Sequence, residues 1–96
     1  MIYYINAKYI KGNFKIAHRQ YPNGRIAVVL RHADGTDEAV ATVNLPDTAL
    51  PQHCVWLKGW SENEGLPEAL EKAGIVQLTP NFIQTGFTQA QMARLL

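Results

Sequence analysis

The sequence lacks the features that mark several large classes of protein. Its only cysteine is Cys54, so no disulfide can form within the chain, which is typical of proteins from a reducing compartment. Its apolar runs fall far short of the roughly 20 residues that span a bilayer. The segment Met1–Asn6 has neither the basic start nor the length of a signal peptide. We therefore expect a soluble cytoplasmic protein.

Acidic residues are missing from the first third of the chain. Six basic residues and no acidic one lie between Met1 and His32, whereas eight acidic residues accompany three basic ones from Ala33 onward. The net charge of +1 conceals this asymmetry. Either the folded protein is a charge dipole, or the two halves interleave as neighbouring strands and their charges cancel, and the count of charges leaves both arrangements open.

The composition is that of a folded globular protein. Of the 96 residues, 47% are hydrophobic and 18% are charged, whereas a disordered chain would be poorer in apolar residues. A chain of this length buries roughly 60–65% of the surface that it exposes when unfolded, which is enough for one modest core. We expect a single domain over residues 1–96.

One segment has a helical period and recognisable ends. Apolar residues recur at i, i+3, i+4 and i+7, which places them on one stripe of a helix. Pro67 is tolerated only near a helix start, which moves the cap to Asn63 or Gly65, and Gly74 provides the stop. The pattern predicts one short helix at about residues 63–73. Its apolar stripe consists of Leu66, Ala69, Leu70 and Ala73.

Three alternating segments precede this helix and predict a meander. Residues 14–21, 25–32 and 38–45 alternate with a period of two, and Pro22-Asn23-Gly24 and Asp34-Gly35 supply the turns between them. The three segments therefore form two successive hairpins. They make the predicted heart of an antiparallel sheet.

The remaining segments complete an α+β fold. Residues 2–5, 54–57, 75–79 and 82–84 are rich in strand formers, and Pro46 and Pro51 mark an extended loop. Residues 87–96 fit either a weak strand or a final helix, and propensity favours the helix. We expect an antiparallel sheet of about five strands with a central meander, covered on one face by the short helix.

No catalytic or metal-binding pattern is present in the sequence. His53 and Cys54 are adjacent, so on a strand they would point to opposite faces, and the spacing to His18 and His32 is not that of a zinc site. The acidic stretch 34–38 suits a turn better than a calcium loop. We therefore predict a non-enzymatic protein with no metal, no cofactor and no catalytic residue.

Two surfaces are candidates for binding. Aromatic and acidic groups just before the helix indicate a protein interface. Basic residues interleaved with aromatic ones in the N-terminal hairpin indicate, as the alternative, a nucleic-acid contact. The candidate protein interface comprises Trp60, Ser61, Glu62, Asn63 and Glu64, and the candidate nucleic-acid contact comprises Lys15, Arg19, Arg25 and Arg31.

Short motifs in the second half of the chain resemble a known family. VNLPD at 43–47, SENEG at 61–65, AGIV at 73–76 and TGF at 85–87 occur in the order found in a family of short uncharacterised bacterial, phage and mobile-element proteins, a domain of unknown function. The resemblance covers about residues 41–96. It brings no reaction, cofactor or catalytic residue, and it implies that the C-terminal segment ends as a strand.

The sequence leads to two hypotheses of function. In the first, the protein is a small accessory protein of phage or mobile-element origin that binds a host or element protein. In the second, it is a nucleic-acid-binding module that uses the basic N-terminal hairpin. The identity of any partner stays open, as does assembly into a homo-oligomer.

Overall fold

Strands occupy most of the chain. In a computed structural model, which describes residues Met1–Leu96, seven strands, one 3₁₀ turn and one α-helix follow one another. None of the helices has the length and apolar character that crossing a bilayer requires. The elements in chain order are β1 (Tyr3–Asn6), β2 (Lys11–Gln20), β3 (Ile26–Arg31), β4 (Asp37–Val40), β5 (Cys54–Lys58), the 3₁₀ turn (Ser61–Asn63), α1 (Leu66–Lys72), β6 (Val76–Thr85) and β7 (Thr88–Leu95).

The strands form two antiparallel sheets. The first has four strands in the order β1-β2-β3-β4, and the second has three in the order β5-β7-β6. The two are joined just after β4, where Ala41 donates its N–H to Val28 O at 2.8 Å and accepts from Lys58 N at 3.0 Å. An antiparallel bridge between Thr42 and Leu57 continues this link.

The predicted α+β class and the antiparallel meander are confirmed. β2, β3 and β4 are joined by hairpins at the expected turns, and β1 adds a fourth strand at the edge of the same sheet. The predicted number of about five strands is roughly compatible with the seven observed, but these form two sheets and not one. β4 ends at Val40 and not at Leu45, because the chain then turns to bond with β5.

The C-terminal strands correct a second expectation. The two predicted segments, 75–79 and 82–84, belong to one strand, β6 (Val76–Thr85), which passes Pro80 through an irregularity between Leu78 and Phe82. Residues 88–95 form the strand β7 and not the helix that propensity favoured. Because β7 lies between β5 and β6, hydrogen bonds on both of its edges override the weak helical preference.

The helix agrees with the reasoning from Pro67. Gly65 is its N-cap, Pro67 lies in the first turn and Gly74, with a φ of 80°, follows its end. A φ in this range is open to glycine at little cost, so Gly74 stops the helix without strain. The helix runs over Leu66–Lys72, a little shorter than the predicted 63–73.

The core lies between the inner faces of the sheets and α1. Each strand contributes alternate residues, such as Val28 and Leu30 of β3 and Val55 and Leu57 of β5. The other core members are Ile5, Ala7, Ile10, Phe14, Ala41, Leu66, Ala69, Leu70, Ile75, Val76 and Ala93.

The loop between β4 and β5 covers the outer face of β5. Trp56 points away from Val55 and Leu57, yet it is buried, and its indole N–H donates to Thr48 Oγ1 at 2.9 Å. Arg25 donates from Nη1 to Leu45 O at 2.7 Å and from Nη2 to Thr48 O. The loop is therefore fastened to the sheet by one tryptophan and one arginine.

The two halves of the chain interleave their charges. Arg19 donates both guanidinium nitrogens to the Asp37 carboxylate, at 2.9 and 3.1 Å, and Arg31 Nε lies 3.2 Å from the same group. Lys8 pairs with Glu64 at 3.2 Å. Of the two arrangements that the sequence left open, the folded protein adopts the one in which basic N-terminal residues meet acidic residues from later in the chain.

Candidate protein-binding surface

The segment Trp60–Glu64 lies in the connection between β5 and α1, and hydrogen bonds attach it to other elements. Trp60 has an extended backbone, and Ser61–Asn63 form the 3₁₀ turn, with Ser61 at a φ of 54°. Asn63 is buried, and its amide Nδ2 donates to Val40 O at 3.0 Å. This hydrogen bond ties the loop to the end of β4, so Asn63 positions the loop and the neighbouring residues face solvent.

A second attachment holds the other end of the loop. The Glu64 carboxylate accepts from Lys8 Nζ at 3.2 Å, and Glu64 O accepts from Lys8 N at 3.3 Å. The hydrogen bond to Glu64, followed by one to Tyr9, raises the pKa of the Lys8 ammonium above its ordinary value. Ser61 and Glu64, spaced as a capping box, do not cap α1 with their side chains.

The loop presents carboxylates beside an exposed aromatic ring. Tyr9 is 61% exposed and lines a shallow hollow together with Ser61, Glu62 and Glu64. Lys8 Nζ lies 5.2 Å from the centre of the Tyr9 ring, within the range of a cation–π contact. Tyr9 therefore already has an ammonium group beside its ring.

Glu62 is the carboxylate of this surface that has no partner within the protein. It is exposed and takes part in no ion pair or side-chain hydrogen bond, whereas Glu64 is paired with Lys8. Glu62 also lines a second hollow, whose other lining residues include Asp37, Glu38 and Lys58. Its charge is thus available to a cation from outside.

The predicted interface residues are contiguous in the chain but differ in their exposure. Ser61, Glu62 and Glu64 are exposed, Trp60 is half-buried and Asn63 is buried. Sequence reasoning missed Lys8 and Tyr9, which meet the loop from a distant part of the chain. In the sequence, Lys8 and Tyr9 are simply adjacent residues, and nothing in that pair indicates that they contact Glu64.

The predicted nucleic-acid residues do not form one free basic surface. Arg19 and Arg31 are paired with Asp37, and Arg25 holds the loop after β4. Lys15 is the one of the four whose side chain forms no ion pair and no hydrogen bond within the protein. Lys15 and Arg31 lie directly opposite each other in the β2–β3 register, so both side chains lie on the outer face of the sheet.

The histidines and the cysteine lie in separate surroundings. His32 bonds to Glu38 at 2.9 Å and its ring lies 5.3 Å from that of Phe14, while His18 lies near the chain ends. His53 and the half-buried Cys54 lie beside Pro51 and Arg25. No group of three or more His, Cys, Asp and Glu side chains has a geometry that could hold a metal ion.

Two large apolar side chains of the β6–β7 hairpin are exposed, and the sequence predicted a role for neither. Phe82 is 54% exposed on β6, and Phe87 is fully exposed in the turn between β6 and β7. The short apolar runs around them read as two separate strands because Pro80 interrupts them. The hairpin that carries both rings becomes visible only in the fold.

Comparison of the chain with protein-family models, with curated proteins and with solved structures found no match. The resemblance of the second half to mobile-element proteins therefore stays a prediction.

Proposed function

We propose that the protein is a non-enzymatic binding protein that holds a basic segment of another protein on the surface formed by Tyr9 and the loop Trp60–Glu64. The observation that carries this proposal is the position of the Glu62 carboxylate, exposed and unpaired beside the exposed Tyr9 ring and the Glu64 carboxylate. A lysine or arginine of the partner supplies the missing cation.

Aromatic rings and carboxylates bind the side chains of lysine and arginine in different ways. A carboxylate accepts charge-assisted hydrogen bonds from a guanidinium or an ammonium group, and an arginine can engage it with two of its N–H groups. A tyrosine ring attracts the same cation through its face and offers apolar area to the aliphatic stem. Tyr9 already makes such a contact with Lys8, which supports the use of this ring for a cation.

The loop is suited to binding because its shape is fixed in advance. Asn63 fastens it to Val40 and Glu64 fastens it to Lys8, so the partner has little loop entropy to overcome. The charges on its surface favour fast association with a basic partner at low ionic strength. The resemblance to mobile-element proteins suggests a host or element protein as that partner.

Amide chemical-shift mapping tests the proposal. We expect a lysine- and arginine-bearing peptide to shift the amide signals of Tyr9 and of residues 61–64, and added salt to weaken the effect. A peptide of the same length with glutamate in place of the basic residues is the control. Shifts confined to another surface, or equal shifts with both peptides, would remove the proposal.

A second candidate function, nucleic-acid binding, is supported at a place that differs in part from the predicted one. Tyr4 lies opposite Asn13 in the β1–β2 register, which places it on the same face as Lys11 and Lys15. Tyr4 is 62% exposed, and neither lysine forms an ion pair. An exposed ring beside free lysines is a surface on which a base can stack near bound phosphates.

The test of this second candidate uses the two lysines and avoids the arginines. Arg19, Arg25 and Arg31 have partners within the protein, so their replacement would perturb the fold together with any binding. Replacement of Lys11 and Lys15 by Gln is expected to lower the affinity for single-stranded DNA and to reduce its salt dependence. Absence of binding at low salt by the unaltered protein would end this candidate.

A further inference from the structure

One strand edge of this protein is left open along part of its length. β1 lies beside α1, and the outer edge of β5 bonds to the segment after β4. β4 carries Asp37 and Glu38, and charges of this kind are a common protection of edge strands. The remaining edge is that of β6, which pairs only with β7.

The first half of the β6 edge is protected. The Leu78 N–H, which points away from β7, donates to the Glu71 carboxylate of α1 at 2.8 Å. Pro80 follows inside the irregular stretch between Leu78 and Phe82, where it removes an N–H and interrupts regular pairing. A second strand therefore cannot pair with this half.

The second half of the same edge has no such protection. Phe82–Thr85 pair regularly with β7, and the turn at Gly86 and Phe87 closes the hairpin with Gly86 at a φ of 60°. Glycine at the first central position with positive φ is typical of a type II′ turn. No helix, proline or charged side chain lies on Phe82–Thr85.

The register shows which backbone groups of this half are free. Leu95 donates its N–H to His53 O, so the odd-numbered residues of β7 bond toward β5 and the even-numbered ones toward β6. Ala90 and Thr88 therefore bond to Ile83 and Thr85, their partners in the register. In β6, the N–H and C=O groups of the intervening Phe82 and Gln84 point away from the sheet.

The open half of this edge and the turn beside it carry no charged side chain of their own. Between Lys72 and Arg94 the chain contains no Asp, Glu, Lys or Arg, so all of β6 and nearly all of β7 is uncharged. Phe82 and Phe87 are both exposed there. A two-fold axis places residues near their own copies, and at Phe82–Thr85 it opposes no like charges.

We propose that two copies of this chain pair through the Phe82–Thr85 edge as antiparallel strands related by a two-fold axis. Ile83 lies on the axis and faces its own copy, and Phe82 of one copy lies opposite Gln84 of the other. The outward N–H and C=O groups of both residues are then satisfied across the interface. The two Phe82 rings lie diagonally on one face, a separation of about 7–8 Å that aromatic side chains can bridge.

A second copy suits this edge because it supplies the required complement in itself. The edge can pair with an extended, uncharged segment that has free backbone groups and an aromatic side chain. Phe82–Thr85 of a second copy is such a segment. The proposal is independent of the surface around Tyr9, which lies on other elements.

The test is the mass of the protein in solution, measured by sedimentation velocity over a wide range of concentration. We expect the apparent mass of the unaltered chain to double as the concentration rises. Gln84→Pro removes one outward N–H without removing a bond to β7, and we expect it to stay monomeric. Gln84→Ala, which loses only the side chain, is the matched control and should dimerise.

A second pair of variants covers the case in which Gln84→Pro fails to fold. Phe82→Lys places two ammonium groups near each other across the axis, and we expect the dimer to be lost. Tyr4→Lys adds the same charge on the outer face of β1 and should dimerise as the unaltered chain does. The proposal is overturned by an unaltered chain that is monomeric throughout, or by a Phe82→Lys variant that dimerises unchanged.

Discussion

The Glu71 carboxylate accepts a hydrogen bond from the backbone N–H of Leu78 at 2.8 Å. This bond joins the last turn of α1 to the outer edge of β6, the strand that follows it. A strand edge with an unmet N–H is a site for association, and a helix side chain satisfies it here. Because the same edge is open at Phe82–Thr85, we propose the second half of the strand as the association surface.

Removal of the Glu71 carboxylate should destabilise the fold measurably. Glu71→Ala leaves the Leu78 N–H without its acceptor, and we expect a loss of about 1 kcal/mol in the free energy of unfolding, measured with urea. Glu71→Gln keeps an amide oxygen in the same place and should lose less. Equal stability of the two variants would show that the hydrogen bond does not matter. Hydrogen exchange of the Leu78 amide should be faster in Glu71→Ala.

Replacement of Asn63 should cost more, because its side chain is buried. Asn63→Ala leaves Val40 O without a donor at the junction of β4 and the loop. The expected loss is about 1–3 kcal/mol in the free energy of unfolding. Asn13→Ala, at an exposed position of β2, is the control and should change the stability by less than about 0.5 kcal/mol. A similar small effect of both changes would contradict the positioning role of Asn63.

Stability at acidic pH should depend on Asp37. The hydrogen bond from Arg19, with the charges of Arg19 and Arg31, lowers the pKa of the Asp37 carboxyl below its ordinary value. A carboxyl with a lowered pKa in the folded state stabilises the fold above its unfolded pKa of about 3.9, and this contribution is lost as the pH falls through the folded value. Arg19→Gln should therefore raise the Asp37 pKa. It should also reduce the loss in the free energy of unfolding as the pH falls from about 3.9 through the pKa of Asp37 in the folded protein.

An NMR titration of the Asp37 carboxyl carbon checks this expectation. Lys15→Gln removes a cation of the same strand that has no contact with Asp37, and its effect on the Asp37 pKa should be the smaller of the two. An Asp37 pKa that is the same in Arg19→Gln and in the unaltered protein would contradict the pairing.

Local signals in the sequence were sufficient for the hairpins and the helix. The position of Pro67 limited the cap to Asn63 or Gly65, and the helix does begin after Gly65. Asp34-Gly35 and Pro22-Asn23-Gly24 were placed as turns because their backbone preferences act within a few residues. These elements depend on neighbours in the chain, which is why patterns in the sequence located them.

Other features depend on contacts between distant residues, and the sequence could not reveal them. β7 is a strand because β5 and β6 bond to it on both sides, although its own propensity favours a helix. The meeting of Lys8 with Glu64, and of Arg19 with Asp37, joins residues from different elements. The sequence therefore predicted only part of the candidate site, because Glu62 was in the predicted segment and Tyr9 was not.

The affinity of a lysine- and arginine-bearing peptide for the Glu62→Gln variant tests the proposed function most directly. Glu62→Gln removes the unpaired charge and leaves a side chain of nearly the same shape, and Asp47→Asn removes an exposed charge from the loop after β4 as the control. We predict that Glu62→Gln weakens binding about fivefold, the equivalent of about 1 kcal/mol for an exposed ion pair, while Asp47→Asn leaves it unchanged. Equal affinities of the Glu62→Gln variant and the unaltered protein would contradict the account.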